Sequence, residues 1–281
     1  MDYISVLQKE MRPAFGCTEP IALAYAAAKA ASVLDEFPNH IHARCSANII
    51  KNVKSVVIPN SGGRKGLAAA TVLGAIVGHP ERELEVLESA TDEDRKWLGT
   101  LLEANFCTVE LAESVDNLYI EITATTDEHT AVVRIENAHT NITYVSIDGN
   151  VISETINEIK EAERSTCQMT FDSIYEFAKA GDISGILLSI KQQVEYNTAI
   201  SNEGLSNDYG ANIGRLLLLD DETPSLETKC KARAAAGSDA RMSGCPLPVV
   251  ICSGSGNQGL TVSMPIITTA EELGKTDEEL Y

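Results

Sequence analysis

Leu118-Tyr119-Ile120-Glu121-Ile122-Thr123 sets an apolar residue at every second position, the period of a strand with one buried face. The same reading extends to either side. Val109, Leu111 and Val115 form one strand-like run. Asp127-Glu128 reads as a turn before Val132, Val133 and Ile135, and Ile142, Tyr144 and Ser146 lead into Asp148-Gly149-Asn150, a hairpin signal. Phe106 to Ile152 therefore predicts a meander of three or four antiparallel strands, one face of it packed on helices.

Helical patterns lie on both sides of this meander. Met1 to Arg12 reads as a short amphipathic helix. Gly16-Cys17-Thr18-Glu19-Pro20 breaks it and starts another, with Thr18 as the expected cap. That helix runs through Ile21 to about Leu34 and is apolar nearly all round, so it is expected to be buried. Asn39 to Arg44 reads as a connector, and Ser46 to Val57 fits helix or strand. Leu67 to Val77 is a small-residue helix stopped by Gly78 and Pro80, and Thr91-Asp92-Glu93-Asp94 opens the next one. Beyond the meander, Thr170 and Gly181 bracket a helix, and Ile183 to about Glu203 forms a longer one closed by Gly204. Ser225 to Ala236 forms another, ended by Gly237-Ser238-Asp239, and Ala270 to Tyr281 is an acidic tail. The class is α+β. A mainly helical discontinuous domain, residues 1–42 and 164–281, carries an inserted α+β domain, residues 43–163, with a small antiparallel sheet.

The chain has 281 residues, with 22 Lys and Arg against 41 Asp and Glu, a formal charge of −19. Nothing in that balance neutralises phosphates, which argues against a nucleic-acid partner and an anionic membrane surface. No apolar run is long enough to span a bilayer. Met1 to Glu10 is polar and does not read as a signal peptide, and seven cysteines without paired spacing suit a reducing cytoplasm.

Ser253-Gly254-Ser255-Gly256-Asn257-Gln258-Gly259-Leu260 follows the apolar run Leu247 to Cys252. Its glycines allow positive φ and close approach to a ligand, and Ser253, Ser255, Asn257 and Gln258 add side-chain donors and acceptors. Such a loop suits an anion at a helix start, either a substrate carboxylate or a cofactor phosphate. Asn60-Ser61-Gly62-Gly63-Arg64-Lys65-Gly66 is a second candidate ligand loop, or an exposed basic turn. Cys17 precedes a helix start, where the dipole lowers a thiol's pKa, while Glu19 opposes that effect. A packed structural cysteine is the competing reading. Asp239 and Arg241 lie two apart, so on a helix they point in different directions and can pair with other elements. The five histidines form no zinc cluster, and neither a nucleophile elbow nor a phosphate-binding P-loop is present.

Four motifs occur in order: Gly16-Cys17-Thr18-Glu19-Pro20; Asn48-Ile49-Ile50-Lys51-Asn52; Ala236-Gly237-Ser238-Asp239-Ala240-Arg241-Met242 with Gly244-Cys245; and Ser253 to Gly259. Together they resemble the L-cysteine desulfidase family, which is related to the alpha part of iron–sulfur L-serine dehydratases. The resemblance runs along essentially the whole chain. It implies a 4Fe–4S cluster held by three cysteines, with one iron open to the substrate, and β-elimination of L-cysteine to pyruvate, ammonia and sulfide. It makes Cys17 a cluster ligand and Ser253, Gly254, Ser255, Gly256, Asn257 and Gln258 the clamp for the amino-acid carboxylate, with Asn60 and Ser61 as further contacts. The other two cluster ligands are expected beyond Tyr281, so the resemblance implies a shortened chain. The alternatives are an L-serine dehydratase, a pyridoxal-phosphate eliminase using Lys51, Lys65 or Lys229, and an inactive remnant or a subunit needing a partner. The general base is not identified. The expected partner is a small amino-acid substrate, and alanine-rich helices suit a homodimer.

Overall fold

The computed structural model describes residues 2–154, 169–180, 182–219 and 222–281. Helix α1 (Tyr3–Glu10), capped by Asp2, leads into a short strand, β1 (Pro13–Phe15). Helix α2 (Thr18–Leu34) is buried along most of its length, as its composition predicts. Its N-cap is Cys17 rather than Thr18, because Thr18 already has helical geometry and its hydroxyl is engaged elsewhere. Residues 40–45 are not a connector but a strand, β2 (His40–Cys45). Ile41, Ala43 and Cys45 face the core and the polar His40, His42 and Arg44 the open face, so the run does alternate, but the small Ala43 and Cys45 make its apolar side a weak signal. Helix α3 (Ala47–Val53) is capped by Ser46, and α4 (Leu67–Val77) stops at Gly78 as expected. After a 3-10 segment, Pro80–Glu85, helix α5 (Asp92–Glu103) opens with a reciprocal Thr91–Asp94 capping box.

Strands β3 (Cys107–Leu111), β4 (Tyr119–Thr125), β5 (Thr130–Glu136), β6 (Ile142–Ile147) and β7 (Asn150–Glu154) complete a six-stranded sheet. Its order is β3-β2-β4-β5-β6-β7. Strands β4 to β7 pair antiparallel along the predicted meander; β3, expected within it, instead pairs in parallel with β2, which stands between β3 and β4. Helix α2 lies across β4 and β5 and packs on α4, where Gly74 meets the Ala24 main chain so closely that no β-carbon fits. The first expected domain boundary, after residue 42, thus falls inside β2, and the second, after residue 163, lies outside the described residues.

The C-terminal part is helical: α6 (Phe171–Ala180), α7 (Leu187–Ser206), α8 (Ile213–Leu219) and α9 (Leu226–Met242). Strand β8 (Pro248–Val250) and helices α10 (Gly256–Glu272) and α11 (Asp277–Leu280) follow. Gly204 does not close α7 and Gly237 does not end the preceding helix; both lie inside helices. Each is small because a neighbour needs the space: Gly204 meets the Ala236 carbonyl, and a β-carbon at Gly237 would lie 2.9 Å from Leu260 Cδ2. Close packing here outweighs the helix cost of glycine. Gly181, the expected stop of α6, lies outside the described residues. The acidic tail is the end of α10 followed by α11. Strands β1 and β8 form a separate antiparallel pair, Pro13 opposite Val250 and Phe15 opposite Pro248, which joins the start of the chain to its C-terminal helices. Among the described residues no helix is long and apolar enough to cross a membrane.

Candidate functional site

The beginning of α2, the end of α9 and the beginning of α10 meet around a cavity of about 280 Å³. The Thr18 hydroxyl bridges two of these elements, 3.2 Å from Glu19 Oε2 and 3.3 Å from the Gly254 carbonyl. The predicted ligand loop supplies one wall. Ser253 and Gly254 both have positive φ, in a tight turn closed by two 3.0 Å main-chain hydrogen bonds between Cys252 and Ser255. Ser255 then caps α10, its hydroxyl accepting from Gln258 N at 3.3 Å. Only one of the loop's three glycines, Gly254, therefore serves backbone conformation. Gly256 and Gly259 are helical, and their missing β-carbons admit the Arg241 guanidinium and the Val250 carbonyl.

Gly254, Ser255 and Asn257 line the cavity together with Cys17, whereas Ser253 and Gln258 are exposed and do not. Asn60 and Ser61 also lie outside its lining. Asn60 donates to the Leu87 and Glu88 carbonyls at 3.1 and 3.0 Å. The buried Ser61 hydroxyl donates to the Ile58 carbonyl at 2.6 Å and accepts from Arg64 N at 2.9 Å. These contacts fix the turn that Arg64 and Lys65 expose to solvent. None of Lys51, Lys65 and Lys229 lines the cavity, and Lys229 pairs with Glu272 at 2.7 Å.

Arg241, near the end of α9, is the residue whose importance spacing alone did not convey. It is 3% exposed. Its Nη1 donates to Asn257 Oδ1 at 3.0 Å, its Nε has no partner, and among the described residues no carboxylate pairs with it. Burial pulls its pKa down, and the neighbouring Cys17 and Glu19 pull it back up. Glu19 stands at the first turn of α2. Burial pushes its carboxyl up, but hydrogen bonds from Cys17 (3.1 Å) and Thr18 and the nearby His139 outweigh this, so it stays below its ordinary value. The Cys17 thiol is pushed up to about 12, first by burial and then by the Glu19 charge, against the opposing pull of Arg241. The helix start does not activate this thiol: it is a protonated donor to Glu19. Asn52 of α3 reaches Glu19 Oε1 at 3.4 Å and also lines the cavity.

His139 lies in the turn between β5 and β6, on the far side of Gly254, where a β-carbon would be 3.6 Å from its Nδ1. Burial holds the ring below its ordinary pKa, with Glu19 opposing and Arg241 reinforcing that effect. No local signal in the sequence marks His139, because only the folded meander brings it here.

A profile of the serine dehydratase alpha chain family matches residues 81–281. Along the full chain, a UPF0597 protein of Finegoldia magna is 45% identical over 283 residues, covering 100% of this chain and 67% of the relative. A UPF0597 protein of Lachnoclostridium phytofermentans is 43% identical, covering 99% of this chain and 66% of the relative. The chain thus spans about two thirds of the length of these curated relatives. No solved structure gives a significant match.

Proposed function

The chain belongs to the serine dehydratase alpha chain family, and from that premise we propose that it is a lyase acting on a small L-amino acid. L-cysteine is the substrate favoured by the four ordered motifs, with L-serine as the alternative. In the β-elimination, a base takes the α-proton and its electron pair forms the Cα–Cβ double bond as the sulfur leaves as sulfide. The aminoacrylate so formed tautomerises to an imine, which water converts to pyruvate and ammonia.

Arg241 carries this reading. A buried guanidinium lacking an acid leaves donors unsatisfied, which is costly unless a ligand completes them. A carboxylate in the cavity would do so, and the N-terminus of α10 beside it adds a favourable dipole. Asn257 holds the guanidinium in place through Nη1. Cys17 is the one thiol lining the cavity, and among the described residues no three His, Cys, Asp or Glu side chains gather closely enough to hold a metal ion. This donor set does not fit a 4Fe–4S cluster by itself, so no step here is routed through one. In the cluster reading, Cys17 is one ligand and the others are supplied from outside the described set.

The test is anaerobic assay of the protein, reconstituted with iron and sulfide, for pyruvate and sulfide from L-cysteine and for pyruvate from L-serine. Pyruvate from either, with a raised KM in Arg241→Met, is the expected result. Folded protein that yields pyruvate from neither substrate would sink the reading.

A further inference from the structure

We propose that the cavity is a zwitterion clamp: Arg241 takes the carboxylate of an α-amino acid and Glu19 takes its ammonium group. The inference rests on the amino-acid reading above and adds the selectivity rule of the same site.

Arg241 and Glu19 both line the cavity, yet they do not form an ion pair with each other. Opposite charges that share a partly buried space normally close on one another, since attraction strengthens as water is removed. Here each is held back by its own neighbours. Asn257 and Met242 engage Arg241 Nη1 at 3.0 and 3.5 Å. Cys17 and Thr18 both reach Glu19 Oε2, at 3.1 and 3.2 Å. Glu19 Oε1 is left with one long contact, 3.4 Å from Asn52 Nδ2. Among the described residues, Arg241 Nε has no partner. Each pole thus keeps hydrogen-bonding capacity that the protein does not use. A ligand with one positive and one negative end, separated by a single carbon, uses both.

The arrangement also discriminates. A hydroxy acid or thiol acid satisfies Arg241 but places no cation beside the half-buried Glu19, whose charge then gains no counter-ion. An amino alcohol or amino thiol satisfies Glu19 and leaves Arg241 as it was. Such a site rejects each half-ligand more strongly than contact area suggests, because a charge at least partly withdrawn from water is left unpaired.

The experiment is calorimetric or ligand-observed NMR titration of the whole chain with L-serine, 3-hydroxypropionate and ethanolamine. L-serine should bind about tenfold or more tighter than either half-ligand. Glu19→Gln should erase the preference for L-serine over 3-hydroxypropionate while keeping both bound, and Arg241→Met should lose both. Equal binding of L-serine and 3-hydroxypropionate to the unaltered protein overturns the clamp, as does an unchanged preference in Glu19→Gln or no binding of L-serine. The unaltered protein supplies the first comparison, so a poorly folding variant does not void the test. Pyruvate formation is scored separately. Turnover without the preference leaves the lyase reading standing and removes the clamp, and the preference without turnover does the reverse.

Discussion

Arg241 lies so close over Gly256 that a β-carbon at position 256 would overlap the guanidinium Nε. The same β-carbon would come within 2.9 Å of Val249 Cγ2, so it has no easy way out. Gly256→Ala should therefore displace Arg241, even though alanine suits a helix better than glycine. We expect a loss of L-serine affinity of about tenfold and a destabilisation of about 1–3 kcal/mol from overpacking. Titration and calorimetric melting of the same preparation check both; undiminished affinity would show that Arg241 does not hold the ligand.

The state of Cys17 makes a chemical prediction. With a pKa pushed up to about 12, only about one thiol in ten thousand is ionised at pH 8, and the thiolate is the species that alkylates. In iron-free protein, iodoacetamide should label the partly exposed Cys230 and Cys252 well before the buried Cys17. Glu19→Gln removes one cause of the shift and should speed labelling of Cys17. Peptide mass spectrometry over a time course gives the order, and early labelling of Cys17 would mean that the helix start outweighs burial.

Helices α7, α8 and α9 approach each other through glycine. Gly204 abuts the Ala236 carbonyl, and Gly214 abuts the Ala232 carbonyl. Gly204→Ala and Gly214→Ala each add a methyl where main chain already stands, and each should cost about 1–3 kcal/mol. For a chain of this size that lowers the melting temperature by about 2–4 °C per kcal/mol. Unchanged melting in both variants would show that these helices can separate without penalty.

Glu121, 8% exposed in β4, gives the pH dependence. Burial pushes its carboxyl up, but hydrogen bonds from Arg134, Tyr119 and Arg44 and the charge of Arg134 outweigh it, and the net shift is downward. A carboxyl lowered in the folded state binds fewer protons than in the unfolded chain. Its stabilisation is therefore complete above the unfolded value of about 4.3 and is lost as pH falls through the folded one. Glu121→Gln should lower stability by about 2 kcal/mol at pH 7 and flatten the acid side of the melting curve against pH. An acid limb equally steep in the variant would place the titrating group elsewhere.

What the sequence disclosed depended on which signal each residue obeyed. Leu67 to Val77 is buried nearly throughout and strands β4 and β5 keep an alternate buried face, and both were legible; β6 and β7 were marked by the hairpin at Asp148-Gly149-Asn150. Strand His40–Cys45 was not, because two of its three inward residues, Ala43 and Cys45, are small and its apolar side is weak. Glycine misled at Gly204 and Gly237, where a residue that usually marks a stop instead permits contact between helices. In the site, the loop and Cys17 were marked by local composition. Glu19 shows in the sequence as part of the Cys17 motif and as an influence on that thiol, not as a pole of the site. Arg241 shows its significance only through burial, and His139 only through the turn that delivers it to Gly254.

The pairing of Pro13–Phe15 with Pro248–Val250 has a consequence for the timing of synthesis. The six-stranded sheet and its covering helix are complete by Glu154, and they can form while the rest of the chain is still being made. The cavity cannot, since Thr18 waits for its partner Gly254, more than two hundred residues later in the chain. Until Pro248–Val250 emerges from the ribosome, β1 lacks its partner strand, and the apolar start of α2 depends on other shelter. A nascent chain stalled before β8 should thus carry a folded sheet and an open, ligand-blind N-terminal segment, vulnerable to proteases around residues 13–17.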